Sequence, residues 1–201
     1  MMIKKILHRI LENPFVFQLQ QKVCNNYDAV FDEFSDYLKI KNQSIIEIGC
    51  STANCASEIV DMNNNYYVGV DLDQNYIERA KKNAPLGNFF KMDARKLSFE
   101  NSQFDIAVFN GVIHHMDDEL ILSCLSEVQR VLKENGKILI SEPVFSRGIL
   151  STILLKLDRG NFIRKQEEYK NLFSQFSIER ERYFRFSAHK FCSFVLSKKS
   201  N

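Results

Sequence analysis

Tryptophan is missing from this chain of 201 residues, while proline occurs only 3 times and glycine only 7 times. So little punctuation excludes a collagen-like or low-complexity chain and leaves long stretches free to run as regular helix and strand. No C-x-x-C pair occurs among the 5 cysteines, Cys24, Cys50, Cys55, Cys124 and Cys192. That argues against a zinc site and a disulfide framework, and a reducing, cytoplasmic setting is expected. Acidic clusters with metal-ligand spacing are absent too, so no metal is expected. No uninterrupted apolar run reaches the roughly 18 residues of a membrane span, and Lys4, Lys5 and Arg9 break up the apolar N-terminus; neither a transmembrane helix nor a signal peptide is expected. Also absent is G-x-G-x-x-G: from Gly49 the chain reads Gly-Cys-Ser-Thr-Ala-Asn, which lacks the glycines that seat a pyrophosphate.

What is present is enough apolar material, 45% of the residues, to bury one sizeable core, so a single domain with a lid is expected. At the N-terminus Ile3, Ile6, Leu7, Ile10 and Leu11 share one helical face, Asn13-Pro14 breaks the pattern, and two further helical stretches follow through Val23 and Leu38. From Ser44 short apolar runs alternate with helical stretches, the mark of βα units and a mainly parallel sheet. Strands are expected at 44–48, 66–72, 88–92, 104–110 and 137–141, with helices at 53–62, 74–82 and 118–132. Asp73 is placed to cap the second helix, and Asn135-Gly136 to turn the chain after the third. Beyond Pro143 the pattern predicts a helix over 149–157, a turn at 158–160, a helix over 167–173, and an antiparallel hairpin of 178–186 with 190–197. The organisation expected is N-terminal helices over 1–43, a ligand-binding core over 44–143, a substrate lid over 144–164, and a helix with the terminal hairpin over 165–201.

The segment Ile45-Ile46-Glu47-Ile48-Gly49-Cys50-Ser51-Thr52-Ala53 is a buried strand that ends in an acid and turns on small residues. At the carboxyl end of a first parallel strand, small side chains let a ligand approach the backbone where an open α/β sheet leaves a crevice. Asp71 ends the next strand about twenty residues on, where a carboxylate can accept from both hydroxyls of a ribose. Asp73 is the better helix cap of the two. One βα unit later, Asp93 of Met92-Asp93-Ala94 could accept from an adenine amine.

In this order the motifs resemble the class I S-adenosylmethionine-dependent methyltransferases, particularly those acting on small molecules. Glu47-x-Gly49-x-Ser51-x-Ala53 is similar to the family's acidic-glycine loop, Asp71 to its ribose acid, and Asp93-Ala94 to its adenine-contacting pair. Residues 104–110 resemble its fourth strand, Gly111-Val112-Ile113-His114-His115 the loop after it, and 131–137 the turn before its fifth. The resemblance implies a doubly wound, Rossmann-like α/β fold with a seven-stranded, mainly parallel sheet of order 3-2-1-4-5-7-6 and strand 7 antiparallel. It implies S-adenosylmethionine as cofactor, S-adenosylhomocysteine as product, and Glu47, Gly49, Cys50, Ser51, Ala53, Asp71, Leu72, Asp93, Ala94 and Asn110 as the cofactor-binding residues. Where the family usually has glycine, this chain has Ser51 and Ala53, and each adds a Cβ where backbone and ligand nearly touch.

Methyl transfer from a sulfonium is an in-line displacement, so the protein must chiefly align the acceptor and exclude water. His115 stands at the family's common active-site histidine, with His114 beside it, and imidazole titrates near neutrality; a structural role for these histidines stays open. Glu142, at the end of the fifth strand, is a third candidate to face the acceptor. Tyr27, Tyr183 and His189 are within reach from flanking segments. Residues 143–201 hold 12 Lys/Arg against 5 Asp/Glu, and Arg147, Lys156, Arg159 and Arg164 could draw an anionic substrate. The expected activity is methyl transfer to an oxygen or nitrogen of a small molecule, with anionic metabolites and sugar derivatives as candidates and no nucleic-acid partner. Two other readings stay open: a methyltransferase-fold interaction module that has lost turnover, motivated by Ser51 and Ala53, and an RNA methyltransferase.

Overall fold

The computed structural model describes residues 27–145, 161–186 and 189–199. Seven strands form one sheet: β1 (Ser44–Ile48), β2 (Tyr66–Asp71), β3 (Asn88–Lys91), β4 (Phe104–Asn110), β5 (Leu132–Val144), β6 (Phe176–Phe186) and β7 (His189–Lys198). Their order is β3-β2-β1-β4-β5-β7-β6. β1 to β5 pair in parallel, and β7 runs antiparallel to both β5 and β6. This is the doubly wound topology expected. The order reverses beside β1, so β1 and β4 leave their carboxyl ends next to one another with helices departing to opposite faces.

Each face of the sheet packs its own apolar layer. On one, α1 (Tyr27–Leu38), α2 (Asn54–Ile59) and α3 (Gln74–Asn83) lay Phe34, Leu38, Ala56, Ile59, Ile77 and Ala80 against Ile45, Tyr67, Leu139 and Val195. On the other, α4 (Asp118–Val131) and α5 (Gln166–Leu172) close over Phe104, Phe109, Ile138, Ile140 and Phe194. The helices keep their faces by spacing: Ile121, Cys124, Leu125, Val128 and Val131 are the buried residues of α4, the i, i+3, i+4 pattern of an amphipathic helix. Burying one such side chain stabilises the fold by roughly 1.5–3 kcal/mol.

Caps fix where the helices begin. The Asp73 carboxylate accepts from the Asn75 N–H at 2.7 Å and Asp117 from the Leu120 N–H at 2.9 Å, each satisfying an end group that the helix cannot. α2 is shorter than the expected 53–62, because Ala53 is left-handed and Val60 is already extended. β5 begins earlier than expected. Its register against β4 jumps from Phe104–Leu132 to Ile106–Lys137, so the Asn135-Gly136 turn takes the form of a bulge opposite Asp105.

Part of the sequence's charge asymmetry is met by ion pairs within the fold. Basic residues of the C-terminal part pair with acids of the preceding part: Arg180 with Asp36 at 2.6 Å, Arg182 with Glu33 at 3.6 Å, and Arg164 with Asp118 at 2.6 Å. The helices expected over 3–11, 15–23 and 149–157, and most of the expected lid with Arg147, Lys156 and Arg159, lie outside the described residues.

Candidate active site

β1 delivers the chain into a turn that only glycine can begin. Gly49 has φ +71°, and a Cβ there would lie 2.3 Å from Cγ2 of Val112. The turn after β1 therefore packs directly on the turn after β4. Gly49 and Cys50 both donate to the Val70 carbonyl, at 2.8 and 3.0 Å. Ser51 and Ala53 are left-handed as well, with φ 49° and 57°, a conformation costing a residue with a Cβ about 1–2 kcal/mol. The departures from glycine strain the loop without abolishing its shape. Ser51→Gly and Ala53→Gly should each stabilise the protein by about 0.5–1 kcal/mol, since relief of that strain exceeds the extra unfolded-state entropy of glycine. A thermal melt would show it, and an unchanged or lower melting temperature would refute it.

Asp71 ends β2 and turns toward that loop. Its Oδ2 accepts from the Ser51 N–H and its Oδ1 from the Asp73 N–H, both at 2.9 Å. A carboxylate offers about four lone-pair positions, so each oxygen keeps acceptor capacity after holding its backbone donor. Burial raises the Asp71 pKa, and the two N–H donors oppose that rise. Beside it, Glu47 is buried and accepts from the Tyr67 hydroxyl. Burial is the main cause that pushes its carboxyl up to about 7, against the Tyr67 bond and with help from the negative charge of Asp71. The Cys50 thiol is raised by burial and by both acids, which leaves it an inert packing group rather than a nucleophile.

The Glu47 shift has a sign that can be tested. A carboxyl raised from 4.5 to about 7 on folding binds protons better in the folded state, so its contribution is most favourable below about 4.5 and is lost as pH rises through about 7. The loss is on the order of 3 kcal/mol at 1.36 kcal/mol per pH unit. Glu47→Gln keeps an acceptor for Tyr67 and removes the titration. Between pH 5 and pH 8 the wild type should lose more stability in urea than this variant does, and parallel curves would contradict the assignment.

Further along the carboxyl edge the other candidates fall on consecutive strands. Leu72 is exposed beside Asp71, and Ala94 is buried. Asp93, past β3, is gripped by Arg95, whose Nη2 lies 2.6 Å from its Oδ2 and which holds the carboxyl below its ordinary range. Asn110 ends β4, half-buried. At Gly111, φ +63°, an added Cβ would meet nothing closer than His114 Cε1 at 3.9 Å.

The turn after β4 separates three residues that the sequence grouped together. His115 is exposed, whereas His114 is buried and Glu142 is completely so. Glu142 Oε1 accepts from the Val112 and Ile113 N–H groups, both at 2.8 Å, and Oε2 lies 2.7 Å from His114 Nδ1. The expectation that Glu142 faces an acceptor is thereby corrected: its oxygens are consumed beneath the turn. The rings of His114 and His115 lie 4.1 Å apart. Arg164 is a second correction. It is buried, paired with Asp118 and bonded to the carbonyls of Met116 at 2.8 Å and Phe162 at 2.9 Å, so it is not available to draw an anion. Tyr183 is exposed on β6, and the side chains of Tyr27 and His189 lie outside the described part of the structure. Sequence reasoning missed Tyr67, Val112 and the pinning role of Arg164; only a tertiary contact distinguishes them from other strand and loop residues.

Among the described residues no cluster of three or more His, Cys, Asp or Glu could hold a metal ion, and no described helix is long and apolar enough to cross a membrane.

The carboxyl edge of the α/β sheet thus brings together a glycine turn without the G-x-G-x-x-G pattern, an acid after β2 turned into it and a histidine turn after β4. Residues 45–136 match the family model of a methyltransferase domain. The ribosomal protein L11 methyltransferase of Dictyoglomus turgidum is 28% identical over 146 residues, covering 69% of this chain and 46% of that protein. A S-adenosylmethionine-dependent methyltransferase from Methanosarcina mazei superposes with a TM-score of 0.69 at 18% identity, over 84% of this chain and 98% of that one. Geranyl diphosphate C-methyltransferase from Streptomyces coelicolor, solved with S-adenosyl-L-homocysteine, gives a TM-score of 0.69 at 10% identity, over 86% and 76%. The chain spans about half the length of the curated relatives it matches. Over residues 45–136 the chain is thus similar to the methyltransferase-domain family, and its sheet has the fold of the solved S-adenosylmethionine-dependent methyltransferases.

Proposed function

We propose that this chain transfers the methyl group of S-adenosylmethionine to an oxygen or nitrogen of a small-molecule acceptor. The observation that carries the reading is the Asp71 carboxylate, turned toward the Gly49 turn and retaining acceptor capacity on both oxygens. The residues suit the cofactor: Gly111 leaves open space along the edge, Asp71 suits a ribose diol, Leu72 offers an apolar surface, and Asp93 can accept from an amine while it holds Arg95. Glu47 and the loop 49–53 would lie at the amino-acid end.

When bound, the cofactor supplies an electrophilic methyl group. The chain's part is alignment and proton management. His115 stands exposed past β4, where its imidazole can take the proton that an acceptor O–H or N–H releases as the new bond to carbon forms. Buried Cys50, Cys124 and Cys192, all free thiols, support a reducing cytoplasmic setting.

The likeness to a protein named as a ribosomal protein methyltransferase favours a second reading, in which the acceptor is a nitrogen of a protein. Calorimetry with S-adenosylhomocysteine, followed by incubation of the protein with tritium-labelled S-adenosylmethionine and a cell extract, tests both. Binding with label in the metabolite fraction is expected. Label in the protein fraction would move the assignment to the second reading, and absence of cofactor binding would remove both.

A further inference from the structure

The turn that carries His115 is held with unusual completeness. At its amino end the N–H groups of Val112 and Ile113 donate to Glu142 Oε1 at 2.8 Å, and that of His114 to Oε2 at 3.3 Å. Inside it, His115 N–H donates to the Val112 carbonyl at 3.1 Å and Met116 N–H to that of Ile113 at 2.9 Å. At its carboxyl end Arg164 Nη2 donates to the Met116 carbonyl at 2.8 Å and Nη1 to that of Ile113 at 3.5 Å, while the Phe162 N–H takes the His114 carbonyl at 3.0 Å. Anion at the N–H end and cation at the C=O end is the arrangement that a short helix dipole favours. Gly111 N–H, donating to the Ser141 carbonyl at 2.8 Å, ties the turn to the strand that provides Glu142.

We infer that Glu142 and Arg164 are positioning residues, which clamp the Ile113–His115 turn from its two ends and hold the His115 ring in one place at the carboxyl edge of the sheet. The inference rests on the methyl-transfer reading above. Its physical ground is cost. A carboxylate with no exposed surface is expensive to bury, and replacing buried charges with apolar side chains of similar size is often neutral or stabilising. A connection needing only to be stable has cheaper solutions than a buried acid, a buried arginine and a buried histidine converging on five residues. What the clamp supplies is a fixed direction for the side chain that leaves the turn, and that side chain is His115. Displacement of a reacting group by about 1 Å can cost on the order of 100-fold in rate.

The test uses Glu142→Gln, which retains shape and one carbonyl acceptor, and Arg164→Lys, which retains charge but loses the two-nitrogen fork. Each is compared with wild type in thermal melting, S-adenosylhomocysteine calorimetry, the His115 Cε1–Hε1 NMR signal, and the rate of methyl transfer from tritium-labelled S-adenosylmethionine into the extract. The expected result is cofactor affinity within about 3-fold of wild type, a displaced or broadened His115 signal, and transfer slowed about 10- to 100-fold. His115→Ala should be slowed similarly, and the Glu142→Gln/His115→Ala double variant no further, because both act through one ring. Wild-type transfer by folded variants, or a Glu142→Gln loss that multiplies the His115→Ala loss, would overturn the inference and leave the methyl-transfer reading standing. Should Glu142→Gln not fold, the Arg164→Lys comparison with its own His115→Ala double variant decides. A wild-type protein that transfers no methyl group sinks the broader reading and this inference with it.

Discussion

Replacing Asp71 with alanine is expected to weaken S-adenosylhomocysteine binding on the order of 100-fold. Hydrogen bonds to a charged acceptor contribute roughly 1.5–3 kcal/mol each, and 1.4 kcal/mol corresponds to tenfold in affinity, so loss of two ribose contacts reaches that factor at the lower end. Part of the effect is indirect. Asp71 also holds the N–H groups of Ser51 and Asp73, so the variant loosens the loop 49–53 and should melt a few degrees lower. Two further measurements separate the contributions. Asp71→Asn keeps one acceptor oxygen and should fall between wild type and alanine. 5′-Methylthioadenosine, which has the ribose but no amino-acid tail, should lose affinity for Asp71→Ala by a similar factor. A ribose ligand bound equally well by wild type and Asp71→Ala would show that the carboxylate serves the loop alone.

Gly49→Ala should be among the most destabilising single substitutions in the core, by about 2–4 kcal/mol. The left-handed backbone, φ +71°, contributes roughly 1–2 kcal/mol of that for any residue with a Cβ. Contact with Val112 adds a similar amount, as overpacking generally does. At about 2–4 °C per kcal/mol for a chain of this size, the melting temperature should fall by roughly 5–15 °C. The coupling partner makes the prediction specific. Val112 precedes His115 by one turn, so the intruding methyl group pushes the histidine turn as well as the β1 loop. Trimming Val112 to alanine removes the Cγ2 atom that would stand 2.3 Å from the new Cβ. The Gly49→Ala/Val112→Ala double variant should therefore lose less stability than the two single losses added together. Strict additivity would mean that backbone strain accounts for the whole effect.

The strands that form the parallel core were legible as short apolar runs, because residues buried on both faces of a parallel sheet leave no alternation to confuse the pattern. Asp73 was legible as a cap because capping is local, an acid reaching an N–H two residues on. The glycine turn after β1 was legible for a similar reason, since a tight turn at a strand end favours small residues, and Asp71 was legible as the last residue of β2. The start of β5 was misjudged, because the bulge opposite Asp105 is set by the neighbouring strand and not by the residues inside it.

Local sequence thus determined the parallel strands, the helices between them and the tight turn after β1, since these follow from periodicity, caps and turn chemistry within a few residues, whereas the full strand order was what the family resemblance implied. Tertiary structure decided which of His114, His115 and Glu142 stays in contact with solvent, and it turned Arg164 from a free cation into a buried clamp. Burial and hydrogen-bond partnership are properties of atoms brought together across 28 to 51 positions of sequence, and no local pattern encodes which of two adjacent histidines the fold will cover.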